Sequence, residues 1–247
     1  MDGSASEYPS PSTIEKIRRN PNPDNETLQD LVDRATKIAK QQRFFHWELE
    51  FPEVFGQSSS GFDCILGNPP WDVHQAEERS WFLARDKSIA SAPPSKRKEK
   101  IEALEEENPE LYAEWEEYQN RIESDNEFMN DSGRFDLTSK GKLNLYSLFT
   151  EHSRDIINSQ GRVGIVVQSG IVTDYYNQDF FKDLIEKQQL NSLYDFENRE
   201  GLFPGIDNRM KFSLLTLTGG PSPVEETQYA FYLTNTDQLH SDGKVFS

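Results

Sequence analysis

Apolar residues in this chain gather into short runs separated by long polar stretches. Phe62, Cys64, Ile65 and Leu66, bounded by Gly61 and Gly67, predict a buried strand. The continuous apolar run 163–167 predicts a central parallel strand. A short run at 193–196 and longer ones at 212–217 and 229–233 predict three more strands, the last opening a following region.

Between these runs the spacing changes to that of helices. Leu28, Leu31, Val32, Ala35, Ile38 and Ala39 form one stripe, which Thr27 with Asp30 is placed to cap. Residues 77–88 predict a second helix. Leu111, Trp115, Tyr118 and Ile122 mark a third, behind the cap-and-proline pair Asn108-Pro109. Leu145, Leu148, Phe149, His152, Ile156 and Ile157 make a fourth stripe, with Gly161 in the position of a left-handed stop. Residues 178–187 bury Phe181, Leu184 and Ile185 in a fifth. Strand, helical excursion, helix, strand, helix, strand, strand is half of an open α/β sheet. Residues 1–26, rich in Ser, Pro, Asn and Asp, predict a disordered lead or linker.

The chemistry gathers where the first strand stops. Asn68-Pro69-Pro70-Trp71 cannot continue a ladder, because neither proline has an N–H to give. Each proline also drives its predecessor out of the α region, so the turn is rigid and extended. The asparagine amide and the Pro69 carbonyl offer two acceptors, and Trp71 a flat apolar face. Such a set can grip the amino group of a nucleobase drawn out of a duplex while the indole stacks on its ring. The residues alone equally allow a plain turn, with Asn68 capping backbone and Trp71 packed in the core.

Composition sharpens this picture. The chain has 247 residues, 34% hydrophobic with 16 Phe, enough for one large domain or two modest ones. A mean hydropathy of -0.79, no apolar run near membrane-spanning length and no basic-then-apolar leader point to a cytoplasmic protein with no membrane partner. A single cysteine, Cys64, excludes an internal disulfide and a thiolate metal cluster, and no metal is expected; within the strand it reads as a small buried hydrophobe. The net charge of -17 runs against a phosphate-binding surface. The densest basic cluster, Lys96, Arg97, Lys98 and Lys100, is followed at once by glutamates, and intramolecular pairing suits it better than phosphate contact.

The turn Asn68-Pro69-Pro70-Trp71 resembles the catalytic motif of methyltransferases that act on adenine N6 in DNA. The strings Phe44-Phe45-His46-Trp47-Glu48-Leu49-Glu50-Phe51-Pro52-Glu53-Val54-Phe55 and Gly61-Phe62-Asp63 are similar to the subgroup of combined restriction-modification methylases. The segments from Gly141 to Phe149, Gly161 to Val167, Phe203-Pro204-Gly205 and Lys211 to Leu217 extend the likeness to roughly residues 44–239. The resemblance implies the carboxyl-terminal half of a Rossmann-like class I methyltransferase sheet over residues 27–220. It also implies a helical insertion at about 72–140 and a following region or tail at 221–247. It assigns Asn68, Pro69, Pro70 and Trp71 to catalysis, with S-adenosylmethionine as cofactor and double-stranded DNA with a flipped adenine as partner.

The same resemblance exposes a gap. A glycine-rich turn after a first strand and an acidic residue on a second would hold the methyl donor. Upstream of Phe62, Gly3 stands alone, and Gly56 and Gly61 only flank a serine loop. The base-binding half is present and the donor-binding half is expected elsewhere, in a missing amino-terminal part or a separate subunit. One alternative is a non-catalytic remnant or DNA-associated subunit of a restriction-modification system. Another is an acidic interaction protein built on half a sheet. Acidic residues spread along the chain suit work in high salt, where self-repulsion is screened. A positive face in sequence outside this chain would answer the same objection.

Overall fold

The computed structural model of the protein describes residues 10–22, 24–56, 60–220, 226–241 and 243–246. Residues 1–9 of the expected lead and 221–225 of the expected tail lie outside them. The chain divides into two compact units, one ending at Gly56 and the other following it. This division differs from the boundary expected at residue 26.

The first unit is helical. Its first helix, α1 (Pro11–Arg19), occupies part of the segment expected to be a disordered lead. Ser10 caps it by accepting from the Thr13 N–H at 3.2 Å, and Pro11 fills a first-turn position that needs no donor. Helix α2 (Glu26–Gln42) is capped two residues earlier than expected, by Asn25 accepting from Leu28 N–H at 3.0 Å. Two single-turn helices, α3 (Trp47–Glu50) and α4 (Pro52–Phe55), carry the aromatic segment. There Trp47 stacks on Phe51 with centroids 5.7 Å apart and meets Phe45 edge-on at 4.8 Å. Phe44, Phe45 and Leu49 stay exposed.

The second unit is α/β, as expected. It opens with β1 (Phe62–Gly67) and continues into four helices between residues 72 and 140. These are α5 (Glu78–Leu83), α6 (Lys87–Ala90), α7 (Pro94–Glu107) and α8 (Pro109–Asp131). Asn108 caps α8 from its side chain, accepting from Leu111 N–H at 3.2 Å, with Pro109 at the first position. The four helices bury a core of their own, made of Phe82, Ile89, Ala90, Ile101, Leu104 and Trp115. Arg97 is built into it, donating to the carbonyls of Ile89, Ala90 and Ala92 and pairing with Glu78 at 3.6 Å.

After α9 (Leu145–Asp155) come β2 (Ile157–Gln168), α10 (Gly170–Thr173) and α11 (Gln178–Glu186). Strands β3 (Leu190–Glu197), β4 (Lys211–Thr218) and β5 (Gln228–Leu233) complete the sheet. The strand order is β1-β2-β4-β3-β5, with β4 antiparallel to both neighbours and the two outer pairs parallel. One face packs on α9 and α11, where Val163, Val167, Leu217, Tyr146, Phe180 and Leu184 are almost wholly buried. Each such aliphatic side chain contributes roughly 1.5–3 kcal/mol through burial.

Three expectations are corrected here. The helix before β2 ends at Asp155, so Ile157 is a strand residue, and Gly161 sits within β2 instead of stopping a helix. A Cβ on Gly161 would come within 2.7 Å of the Phe62 carbonyl oxygen, so the glycine is needed where β1 and β2 approach closely. On α11 the buried pair is Phe180 and Leu184, while Ile185 faces out. Finally, β1 is an edge strand and not a buried one: Cys64 is exposed and Leu66 is 80% exposed. Its apolar sequence suits a strand with neighbours on both sides, but among the described residues it pairs only with β2.

Candidate functional site

Residues 68–71 leave β1 at its carboxyl end, where Gly67 pairs with Ile165 of β2. Across the sheet, Gln168 of β2 faces Phe212 at the start of β4, and Lys211 faces Glu197 at the end of β3. The turn therefore shares one end of the sheet with these residues. Asn68 is exposed, Pro69 is buried, Pro70 is exposed and Trp71 is half-buried. Among the described residues nothing hydrogen-bonds the Asn68 amide, whose carbonyl and NH₂ are free for a ligand.

Trp71 fastens the turn to the sheet. Its Nε1–H donates to the Val166 carbonyl at 3.3 Å, and its own carbonyl accepts from Gln168 Nε2 at 3.2 Å. One face of the indole stacks on Phe212, at 6.2 Å and 26°, and Phe203 meets it edge-on at 5.9 Å. The segment beyond is tied just as firmly: Leu145 N–H donates to the Asp72 carbonyl at 3.0 Å and His74 N–H to the Leu143 carbonyl at 2.8 Å. Asn68 is thus held out at the tip of a turn braced from β2 on one side and from residues 143–145 on the other.

Behind the turn lies a buried polar group. Asp195 on β3 accepts hydrogen bonds from the hydroxyls of Ser169, at a very short separation, and Ser213, at 3.1 Å. A carboxylate buried among apolar strands requires such donors, and these fix the strand ends on which the turn rests. Asp63, left outside the catalytic set, accepts from Asn158 Nδ2 at 2.6 Å at the far end of β1. His152 packs edge-on against Phe135 at 6.4 Å and lines a small apolar cavity with Met129 and Leu148, as a structural residue would.

Of the residues singled out in the sequence, Asn68, Pro69, Pro70 and Trp71 are therefore contiguous and ordered together. Gln168, Val166, Phe203 and Phe212, which brace them, were not marked as site residues. Phe203 and Phe212 lie in two of the strings carrying the resemblance, while Gln168 ends an apolar run and gave no signal of its own. Among the described residues no group of His, Cys, Asp or Glu side chains could hold a metal ion, and no helix is long and apolar enough to cross a membrane.

No curated protein matches the chain. Solved structures with a related arrangement include a methyltransferase subunit of a type I restriction-modification system from Streptococcus thermophilus. It is 14% identical with a TM-score of 0.39, over 71% of this chain and 27% of that one. The DrdV–DNA complex is 14% identical with a TM-score of 0.36, over 75% and 16%. A protein assigned as a class I S-adenosylmethionine-dependent methyltransferase of Listeria monocytogenes is 14% identical with a TM-score of 0.32, over 39% and 29%. The chain thus spans less than a third of the length of each. At such scores the likeness is loose, and the assignment rests on a family model instead. That model, the Eco57I restriction-modification methylase, matches residues 10–113 and 117–203, a span that takes in the turn, its bracing strand and Phe203. By that match the chain belongs to the Eco57I restriction-modification methylase family.

Proposed function

We propose that this chain is the base-handling part of a restriction-modification DNA methyltransferase that moves a methyl group from S-adenosylmethionine to adenine N6. One observation carries the reading: a free asparagine amide at the tip of a rigid Asn-Pro-Pro-Trp turn, at the carboxyl end of a sheet strand. With a flipped adenine in place, Asn68 Oδ1 and the Pro69 carbonyl accept the two hydrogens of the N6 amine. These bonds pull the nitrogen lone pair out of conjugation with the ring and aim it away from the turn. No strong base is required, because positioning supplies much of the rate. Trp71 stacks on the base, and Pro70 stiffens the turn without touching the ligand.

The residues present do not fit the methyl donor. Among the described residues four helices and no strand precede Phe62, so the glycine turn and ribose-binding carboxylate of a nucleotide site have no strands to sit on. The donor then belongs to a further part of a larger protein or to a separate subunit. The open edge of β1, with Leu66 in solvent, supports this, since an unpaired apolar edge is a template for another strand. The same lack of a donor cradle favours a second reading, a DNA-associated subunit that keeps the base pocket without transferring methyl.

The test is single-turnover transfer of labelled methyl in the enzyme reconstituted with its donor-binding part. Asn68→Ala should lose about 100-fold or more in transfer with duplex affinity unchanged, as for removal of a positioned polar group. His152→Ala should transfer at the parent rate. Full transfer by Asn68→Ala together with an inactive His152→Ala would overturn the mechanism. Label on cytosine would overturn the adenine assignment. A reconstituted parent enzyme that binds duplex but never transfers would leave the second reading.

A further inference from the structure

At the same end of the sheet as Asn68, a cleft of about 460 Å³ is lined by Glu197, Arg199, Asn208, Arg209 and Lys211. Three cations converge here, Arg199 from the turn after β3, Arg209 from just before β4 and Lys211 from its start, in a protein with a net charge of -17. Each has a carboxylate partner that leaves donors over. Arg199 uses Nε on Glu197, at a very short separation, and keeps its terminal nitrogens. Arg209 places Nε and Nη2 on Asp207, at 3.0 and 2.7 Å. Lys211 Nζ meets Glu197 at 2.9 Å and lies 5.5 Å from the ring of Tyr232.

The geometry favours an anion over a cation. Glu197 has a side chain only 10% exposed, while the side chains of Arg199 and Arg209 are 71% and 91% exposed. An incoming ligand therefore meets the guanidinium and ammonium groups of the lining with Glu197 beneath them as a strut, while Asp207, half-exposed at 51%, is held on Arg209 outside the lining. The bond from Lys211 holds the Glu197 carboxyl below the usual range, and the same bond raises Lys211, so both stay charged at neutral pH. Tyr232, exposed beside Lys211, takes a left-handed backbone with φ of 59°, which sets its ring at the rim. Glu200 is turned aside, accepting from Thr234 Oγ1 at 2.7 Å and Asn235 Nδ2 at 3.2 Å.

We infer that this cleft holds DNA backbone phosphates flanking the nucleotide presented to Asn68. The inference rests on the DNA reading above and adds a surface to it. From β1 to β3 is three strand spacings, about 14 Å. At about 3.4 Å of rise per nucleotide, that separation corresponds to roughly four nucleotides of one strand. Guanidinium groups suit phosphate oxygens, and an exposed aromatic ring at the rim suits a base or sugar beside them. The basic cluster at Lys96–Lys100 is not a second such surface: Arg97 is consumed by three carbonyls and Glu78, and Lys98 pairs with Glu102 at 4.0 Å.

The experiment measures binding of a labelled duplex of arbitrary sequence by the full chain, between about 50 and 200 mM salt. Arg199→Gln/Arg209→Gln should weaken binding by about 10-fold at the low-salt end and reduce the slope of log K against log salt by about 2, one for each lost phosphate contact. Both residues are exposed, so the unfolding midpoint should match the parent. Lys96→Gln/Lys98→Gln should leave affinity and slope unchanged, and an equal loss there would overturn the localisation. An unchanged slope for the arginine pair, with the parent binding duplex, overturns the cleft alone and leaves the Asn68 chemistry standing. A parent chain that binds no duplex at any salt overturns both.

Discussion

The indole N–H of Trp71 donates to the main-chain carbonyl of Val166, 95 positions later, at 3.3 Å. Through that bond the residue that ends the Asn-Pro-Pro-Trp turn is fixed to the neighbouring strand, and the turn cannot swing without breaking it. Trp71→Ala loses this bond, the stack on Phe212 and the edge contact with Phe203 together. For a half-buried indole the expected cost is about 2–4 kcal/mol in denaturant unfolding. Trp71→Phe keeps the ring and loses chiefly the bond to Val166, at about 1 kcal/mol.

Asn68 stands in contrast. Its exposed amide makes no hydrogen bond among the described residues, so Asn68→Ala should change unfolding free energy by no more than about 0.5 kcal/mol. A stability change above about 1 kcal/mol would show that the amide holds the turn together and is not free for a ligand.

Glu151 anchors the end of the helical excursion to α9. Its buried carboxylate accepts from Leu137 N–H at 3.2 Å, Thr138 N–H at 3.0 Å and Thr138 Oγ1–H at 2.5 Å. Glu151→Ala strands three donors and should cost about 2–4 kcal/mol. Glu151→Gln turns an NH₂ toward donors and should cost about half as much. Chemical denaturation at neutral pH reads both.

Asp155 makes stability depend on pH. Burial first, and the Glu151 carboxylate second, push its pKa from 3.8 to about 6. Because the folded state holds this proton more tightly than the unfolded chain, the contribution is full below about pH 4 and is lost as pH rises to about 6. Much of the residue's surface still reaches solvent, which discounts the effect to about 1 kcal/mol. Asp155→Asn should therefore be more stable than the parent by about that amount at pH 8, and equal to it near pH 4. A gain of the same size at both pH values would refute the titration.

Much of this arrangement was legible in the sequence. The runs 212–217 and 229–233 lie within β4 and β5, β4 exceeding its run by one residue at each end and β5 by one at the start, because turn residues bound each run sharply. Asn108-Pro109 gave the start of α8, since cap and proline act locally. What failed depended on distant partners. The apolar stripe of α9 runs into Ile156 and Ile157 without a break, so only pairing with Phe62 marks where helix becomes strand. The exposure of Cys64 and Leu66 depends on what lies beside β1, which β1's own residues do not encode. The lead helix carried its signal in Ser10-Pro11, hidden among serines and prolines that also suit a linker. The basic cleft is assembled from Arg199, Arg209 and Lys211, spread over 13 positions with carboxylates between them, and a net charge of -17 obscures it.

The place of β4 has a consequence for the order of assembly. Strands β2 and β3 are made before it, yet they are not neighbours; β4 lies between them and bonds to both. On the ribosome, β2 and β3 must therefore wait with facing edges unpaired until residues 211–218 emerge and slide in as the central antiparallel strand. A sheet closed by its late-arriving middle has high contact order and a long interval in which apolar edges are open to wrong partners. Collapse of α9 and α11 onto Val163, Ile165 and Val167 of β2 can shelter part of that surface during the wait, although the same core is completed only by Leu190 and Leu193 of β3 and Leu215 and Leu217 of β4.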